Sequence, residues 1–182
     1  MDLSEKISTK LKLYCKENNI EITDENFREI LKQAVSKEAF EACFLSDSIA
    51  QKIDALAIYG DKLVDEGREE EAIQVFQQGL DTVPNPKRDY EATLWFIVAI
   101  ADTYWLMNNF KASLKYWNES LEIFSGQDNP FVRFRRGQVL FELGEFEEAK
   151  REFTIYSNLD NGDLFIDEDE KYLSFFEPSK FQ

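Results

Sequence analysis

Histidine is absent from all 182 residues. Its loss removes the imidazole base of most general acid–base catalysis and rules out Ser-His and Cys-His nucleophile pairs. Cysteine is scarce: Cys15 and Cys43 stand far apart, without the paired spacing of a zinc or redox site, and both are expected to be reduced. Only 7 Gly and 4 Pro interrupt a chain heavy in Glu, Lys, Leu and Ala, a balance that favours helices over sheet. No stretch approaches the roughly 18 apolar residues of a membrane span. The opening MDLSEKISTKLKLYCKENN lacks the apolar core of a signal peptide, so a cytoplasmic location is expected. A Gly-rich phosphate loop is missing, as is a dinucleotide fingerprint. The acids around Asp160, Asp163 and Asp167 lack the order of a calcium-binding EF-hand loop. No catalytic residue, metal ligand or cofactor is therefore expected, and the chain does not read as an enzyme.

What is present is acid and aromatic. Acidic residues outnumber basic ones 36 to 21, a formal charge of −15. Such a shell repels phosphate backbones and anionic membrane, and it would steer in a basic protein partner. Solubility alone is the competing reason for it. Aromatics make up 14% of the residues, with 16 Phe among them, enough for a substantial core.

Three segments align without internal gaps: 53–85, 94–126 and 130–162. A small residue recurs in the first half of each (Gly60, Ala101, Gly137). A turn residue follows (Gly67, Asn108, Gly144), then a second small residue (Ala72, Ser113, Ala149), then an aromatic (Phe76, Trp117, Phe153). Small side chains let two helices cross closely, and Gly or Asn accepts the left-handed backbone that ends a helix. An aromatic one turn past the small residue fills the gap to the next repeat. Each segment thus predicts two antiparallel helices. Apolar residues at Ile53, Leu56, Gly60 and Leu63, and again at Leu94, Ile97, Ala101 and Tyr104, carry the helical period of the first helix. In the third copy Arg133 and Arg136 fall where apolar residues are expected, so either that helix is rotated or the arginines pair with acids of a neighbouring element.

These columns resemble the tetratricopeptide-repeat (TPR) pattern over about 110 residues. The spacing from Ala72 to Ser113 is 41 and from Ser113 to Ala149 is 36, against the family's 34, which implies linkers. The longer one holds Pro84-Asn85-Pro86-Lys87, expected to be a loop. The expected fold class is all-α, TPR-type helical hairpins with an N-terminal helical segment (1–52) and a C-terminal capping segment (163–182).

In the N-terminal segment, helices are predicted over 3–18 and 26–43. The first has a stripe of Ile7, Leu11, Leu13 and Tyr14, the second one of Phe27, Ile30, Leu31, Val35 and Phe40. They either cap the array or contact a partner or a second copy of the chain. Ser48 with Gln51 reads as a capping box opening the first repeat helix. In the tail, Phe165, Tyr172, Phe175 and Phe176 are expected to close the last repeat.

Transferred onto this chain, the TPR pattern implies a concave groove lined by the first helix of each repeat. It would present Asp54, Ile58, Asp61 and Asp65, then Trp95, Val98, Asp102 and Trp105, then Phe131, Phe134, Arg135, Gln138 and Phe141. Apolar anchors with scattered acids suit a protein-binding hot spot selective for a basic partner. The competing reading places several of these aromatics in the core. Trp95, Trp105 and Arg135 are the leading candidates.

From Pro84 onward a narrower likeness emerges. The runs Pro84-Asn85-Pro86, Tyr90-Glu91-Ala92, Trp95, Ala99-Ile100-Ala101-Asp102-Thr103-Tyr104, Asn129-Pro130-Phe131, Arg135-Arg136-Gly137-Gln138, Phe141-Glu142-Leu143-Gly144 and Glu168-Asp169-Glu170-Lys171-Tyr172 resemble short bacterial TPR proteins encoded beside polymorphic toxins. Arg136 departs from the usual apolar residue. The resemblance implies an immunity protein that binds and neutralises a toxin domain, with a basic toxin as partner and no nucleic acid or membrane. The alternatives are a secretion chaperone, against which the 41-residue spacing argues, and a general protein-interaction scaffold. Nothing in the sequence indicates self-association.

Overall fold

In the computed structural model, residues 3–21, 23, 26–34, 46–160, 163–165 and 168–177 are described. Among them every regular element is helical. The chain divides into two compact units, residues 1–50 and 51–182.

In the first unit α1 (Leu3–Asn18) and α2 (Phe27–Ala34) bury Leu11, Cys15, Ile30 and Leu31 between them. The Tyr14 hydroxyl donates to Gln33 Oε1 at 2.9 Å across the pair. The α1 stripe is shifted from the sequence expectation: Leu13 is exposed, and the small, apolar Cys15 takes the core position instead. Val35, Phe40 and Cys43 lie outside the described residues.

The second unit is a succession of hairpins. α3 (Asp47–Asp65) turns into α4 (Glu69–Thr82), α5 (Glu91–Leu106) into α6 (Phe110–Ser120), and α8 (Pro130–Glu142) into α9 (Phe146–Leu159). A 3-10 turn (Lys87–Asp89) and the short α7 (Phe124–Gln127) occupy the two linkers. α3 begins earlier than the repeat pattern indicates. Its first turn is capped by Ser46, whose Oγ accepts from the Ile49 amide, and not by Ser48. α4 packs on α5, α5 on α6, α6 on α8 and α8 on α9, so the hairpins stack in chain order.

The three turns are built alike. Gly67, Asn108 and Gly144 adopt positive φ of 71°, 55° and 79°. The amide of the next residue then reaches back five positions, from Arg68 to the Leu63 carbonyl, Asn109 to Tyr104 and Glu145 to Leu140, each at 2.9 Å. This satisfies carbonyls that the helix end would otherwise orphan.

Close crossing explains the small residues. A Cβ at Gly137 would stand 2.7 Å from the Phe153 ring, and one at Gly60 would overlap the Phe76 ring. Ala72, Ser113 and Ala149 are wholly buried, as are Trp117 and Phe153, with Phe76 nearly so. In the middle copy the Ser113 hydroxyl donates to the Ala101 carbonyl at 2.8 Å and accepts from Trp117 Nε1 at 3.1 Å. A buried hydroxyl is tolerated there because both its roles are filled.

Arg133 and Arg136 pair with an acid, as one of the two sequence alternatives has it. Glu152 on α9, 6% exposed, receives Arg136 at 2.6 Å and Arg133 at 3.1 Å. The C-terminal segment, a 3-10 turn (Asp163–Phe165) and α10 (Glu170–Phe176), closes the last hairpin. Phe165 and Tyr172 join Phe134, Leu140, Ala149, Phe153 and Tyr156 in one core, with Phe175 and Phe176 packed against it. The Tyr172 hydroxyl donates to Glu142 at 2.6 Å. Burial first, then Glu142, raises the Tyr172 pKa well above the usual phenol range, so the hydroxyl stays protonated.

Candidate functional site

The first helices of the hairpins place their outward residues along a shared hollow. α3 presents Asp54, Ile58, Asp61 and Asp65 at helical spacing on one face. α5 contributes Trp95, Val98 and Asp102, and α8 contributes Phe131. Together they line a groove whose larger part encloses about 820 Å³ and whose adjoining part encloses about 550 Å³. Asp61, Trp95, Val98 and Phe131 border both parts, which makes the groove continuous.

Three large apolar side chains are left open to solvent here: Ile58 at 70%, Trp95 at 41% and Phe131 at 39%. They come from three different helices. Trp95 is braced from behind by Phe76 and Phe96, with ring centroids at 5.8 and 5.1 Å in T-shaped contacts. Phe131 meets Trp117 in the same manner at 6.1 Å. The rings are therefore packed on one side and exposed on the other. The groove also recruits residues that the sequence did not single out, among them Glu91, Val64 and Leu106. Leu106 is 55% exposed at the end of α5, where no apolar period extends far enough to reveal its direction.

Five expected groove residues lie elsewhere. Phe134 is 1% exposed and packs on Phe153, Tyr156 and Phe165 in the core, where the tail's Phe165 covers it. Gln138 is fully buried, accepting from Arg135 Nη1 and donating to Glu168 Oε2, both at 2.9 Å. Phe141 belongs to the C-terminal closure, against Phe146, Tyr172 and Phe175. Trp105 lies beneath Arg135, whose guanidinium carbon stands 4.9 Å from the ring centre, and beside Phe110. Arg135 is engaged by Asp102 at 2.6 Å and Glu168 at 3.6 Å with its side chain 13% exposed, so it ties α5, α8 and the C-terminal segment together. It acts as a brace, its Nε and Nη2 donating to Asp102 and its Nη1 to Gln138.

Electrostatically the groove is one-sided. Asp54, Asp61, Asp65, Glu91 and Asp102 line it, and among the described residues no Lys or Arg does. Burial and then the neighbouring Asp65 hold the Asp61 carboxyl above its usual range. Burial raises Asp102 too, with a contribution from Glu168, against the opposing pull of Arg135. Chemically the site can bind and orient a chain segment.

No protein-family model matches this sequence, and no curated protein matches it. Among solved structures, the chain is similar to the second TPR domain of Spaghetti (RPAP3) bound to the HSP90 peptide SRMEEVD. The identity is 19% and the TM-score 0.52, over 63% of this chain and 100% of that one. It is also similar to the second TPR domain of human RPAP3 in complex with the HSP70 peptide SGPTIEEVD. Here the identity is 17% and the TM-score 0.55, over 72% of this chain and 98% of that one. With the stacked hairpins described above, these likenesses establish that the chain has the TPR fold.

Proposed function

We propose that this chain is a protein-binding TPR module whose groove holds a segment of a partner protein. The observation that carries the reading is the convergence of Ile58, Trp95 and Phe131, exposed apolar side chains from three helices, on one hollow. Aromatics braced by neighbouring rings in a concave site bury much area on contact, which is the profile of interface anchors. Binding would proceed by desolvation of these anchors, with the surrounding acids setting the partner's charge and speeding encounter.

The finer reading is an immunity protein that neutralises a cognate toxin acting in the cytoplasm, by covering the toxin's active site or blocking substrate access. The resemblance from Pro84 onward and the −15 charge support it, since a highly acidic binder associates rapidly with a basic toxin. The test is co-expression with any toxin domain whose gene neighbours that of this chain. Cells are expected to survive with the intact chain and to die with Trp95→Ala/Phe131→Ala; equal killing with and without the intact chain refutes the reading.

A secretion chaperone is the second reading, favoured by one observation: both solved neighbours hold a short peptide. A chaperone would bind an unfolded peptide of its cargo, whereas an immunity protein requires the folded toxin domain. Calorimetric titration with each form separates them.

A further inference from the structure

We infer that the segment taken by this groove is cationic, carrying Lys or Arg among apolar residues, and is not an acidic peptide of the kind the solved neighbours hold. This rests on the groove being the docking site. Five acids line the hollow, and among the described residues no Lys or Arg does. The Arg135 guanidinium, 6.0 Å from the Phe131 ring centre, pairs with Asp102 and Glu168 and donates to Gln138. Asp54, Asp61 and Asp65 have no ion-pair partner among the described residues, and they repeat along the same face of α3 as exposed Ile58. Burial and then the neighbouring Asp65 raise the Asp61 carboxyl pKa, which accords with an acid that has no cation beside it.

Complementarity then decides the occupant. A segment with alternating apolar and cationic side chains can set the first on Ile58, Trp95 and Phe131 and the second on the acids. Trp95 also offers a guanidinium a ring face. A peptide ending in EEVD would bring its carboxylates against Asp54, Asp61, Asp65 and Glu91, with only Asp102 paired to an arginine, which disfavours it.

The test uses the full chain and three fluorescein-labelled peptides. One alternates Leu, Phe, Ser and Arg; in the others every Arg is replaced by Gln or by Glu. Fluorescence anisotropy is expected to show binding of the Arg peptide, at least about tenfold weaker binding of the Gln peptide, and none of the Glu peptide. Asp61→Asn/Asp65→Asn should weaken the Arg peptide about tenfold. Glu147→Gln/Glu148→Gln, the same charge change on exposed residues outside the groove, should leave it unchanged. Equal loss in both double variants overturns the inference, as does failure of the Arg peptide to bind. If the Gln or Glu peptide binds as well as the Arg peptide and Trp95→Ala abolishes it, the inference falls and the groove reading stands. If Trp95→Ala changes none of the peptides' binding, both fall together.

Discussion

Replacing Glu152 by Ala should be among the most damaging single changes outside the apolar core. The carboxylate lies between two arginines of α8, Arg136 at 2.6 Å and Arg133 at 3.1 Å, and the three side chains are 6, 18 and 16% exposed. Removing one partner of a buried pair costs about 3–5 kcal/mol, mostly because the remaining charge is stranded. Here each arginine keeps one other acceptor at 2.8 Å, Asn118 Oδ1 for Arg136 and the Gln127 carbonyl for Arg133, so the expected loss falls to about 2–3 kcal/mol. For a chain of this size that lowers Tm by about 4–12 °C. Urea denaturation followed by far-UV circular dichroism measures it directly. The control is the triple variant Arg133→Met/Arg136→Leu/Glu152→Leu, which leaves no charge stranded and should recover most of the loss. A loss under about 0.5 kcal/mol for Glu152→Ala, or a triple variant no more stable than the single one, would refute the account.

Gly60→Ala should destabilise by about 1–3 kcal/mol in the same denaturation assay, because the added methyl overlaps the Phe76 ring, although Ala is the better helix former. Arg135→Ala frees Asp102 and Glu168 together and should speed hydrogen exchange across α10 while sparing α4, read by mass spectrometry of peptic fragments. Asp61→Asn should raise stability at neutral pH. The folded carboxyl pKa lies above its unfolded value, so ionisation opposes folding above both values, and the gain should shrink as pH falls through the carboxylate range. Melting the variant and the parent at pH 7 and near pH 3 checks the sign.

The hairpins were legible because their chemistry is local. A small residue, a left-handed turn residue, a second small residue and an aromatic each answer a demand of the same two helices, and all four recur in order three times. The groove positions could be read along α3, where Asp54, Ile58, Asp61 and Asp65 recur at helical spacing on one face, and at Trp95 and Val98 in the first turns of α5. On α8 two phenylalanines and three arginines fall within six positions, and periodicity cannot tell which face is which. Phe134 goes inward because Phe165 arrives from the tail, and Arg133 and Arg136 are turned by Glu152, one acid among 36. Arg135 and Gln138 were read as ligand contacts for the same reason: Glu168, which engages both, lies 30 or more residues downstream, and its proximity is a property of the tertiary fold.

The middle hairpin carries a co-adapted set. Where its neighbours place glycine opposite phenylalanine, it places Ala101, Ser113 and Trp117, linked through one hydroxyl. The copies are therefore not interchangeable cassettes. Grafting Trp117 alone into either outer hairpin would strand an indole N–H beside an alanine, and a chimera assembled by exchanging single helices would inherit that mismatch at every seam, so recombination of this array succeeds only when all three residues travel as a unit.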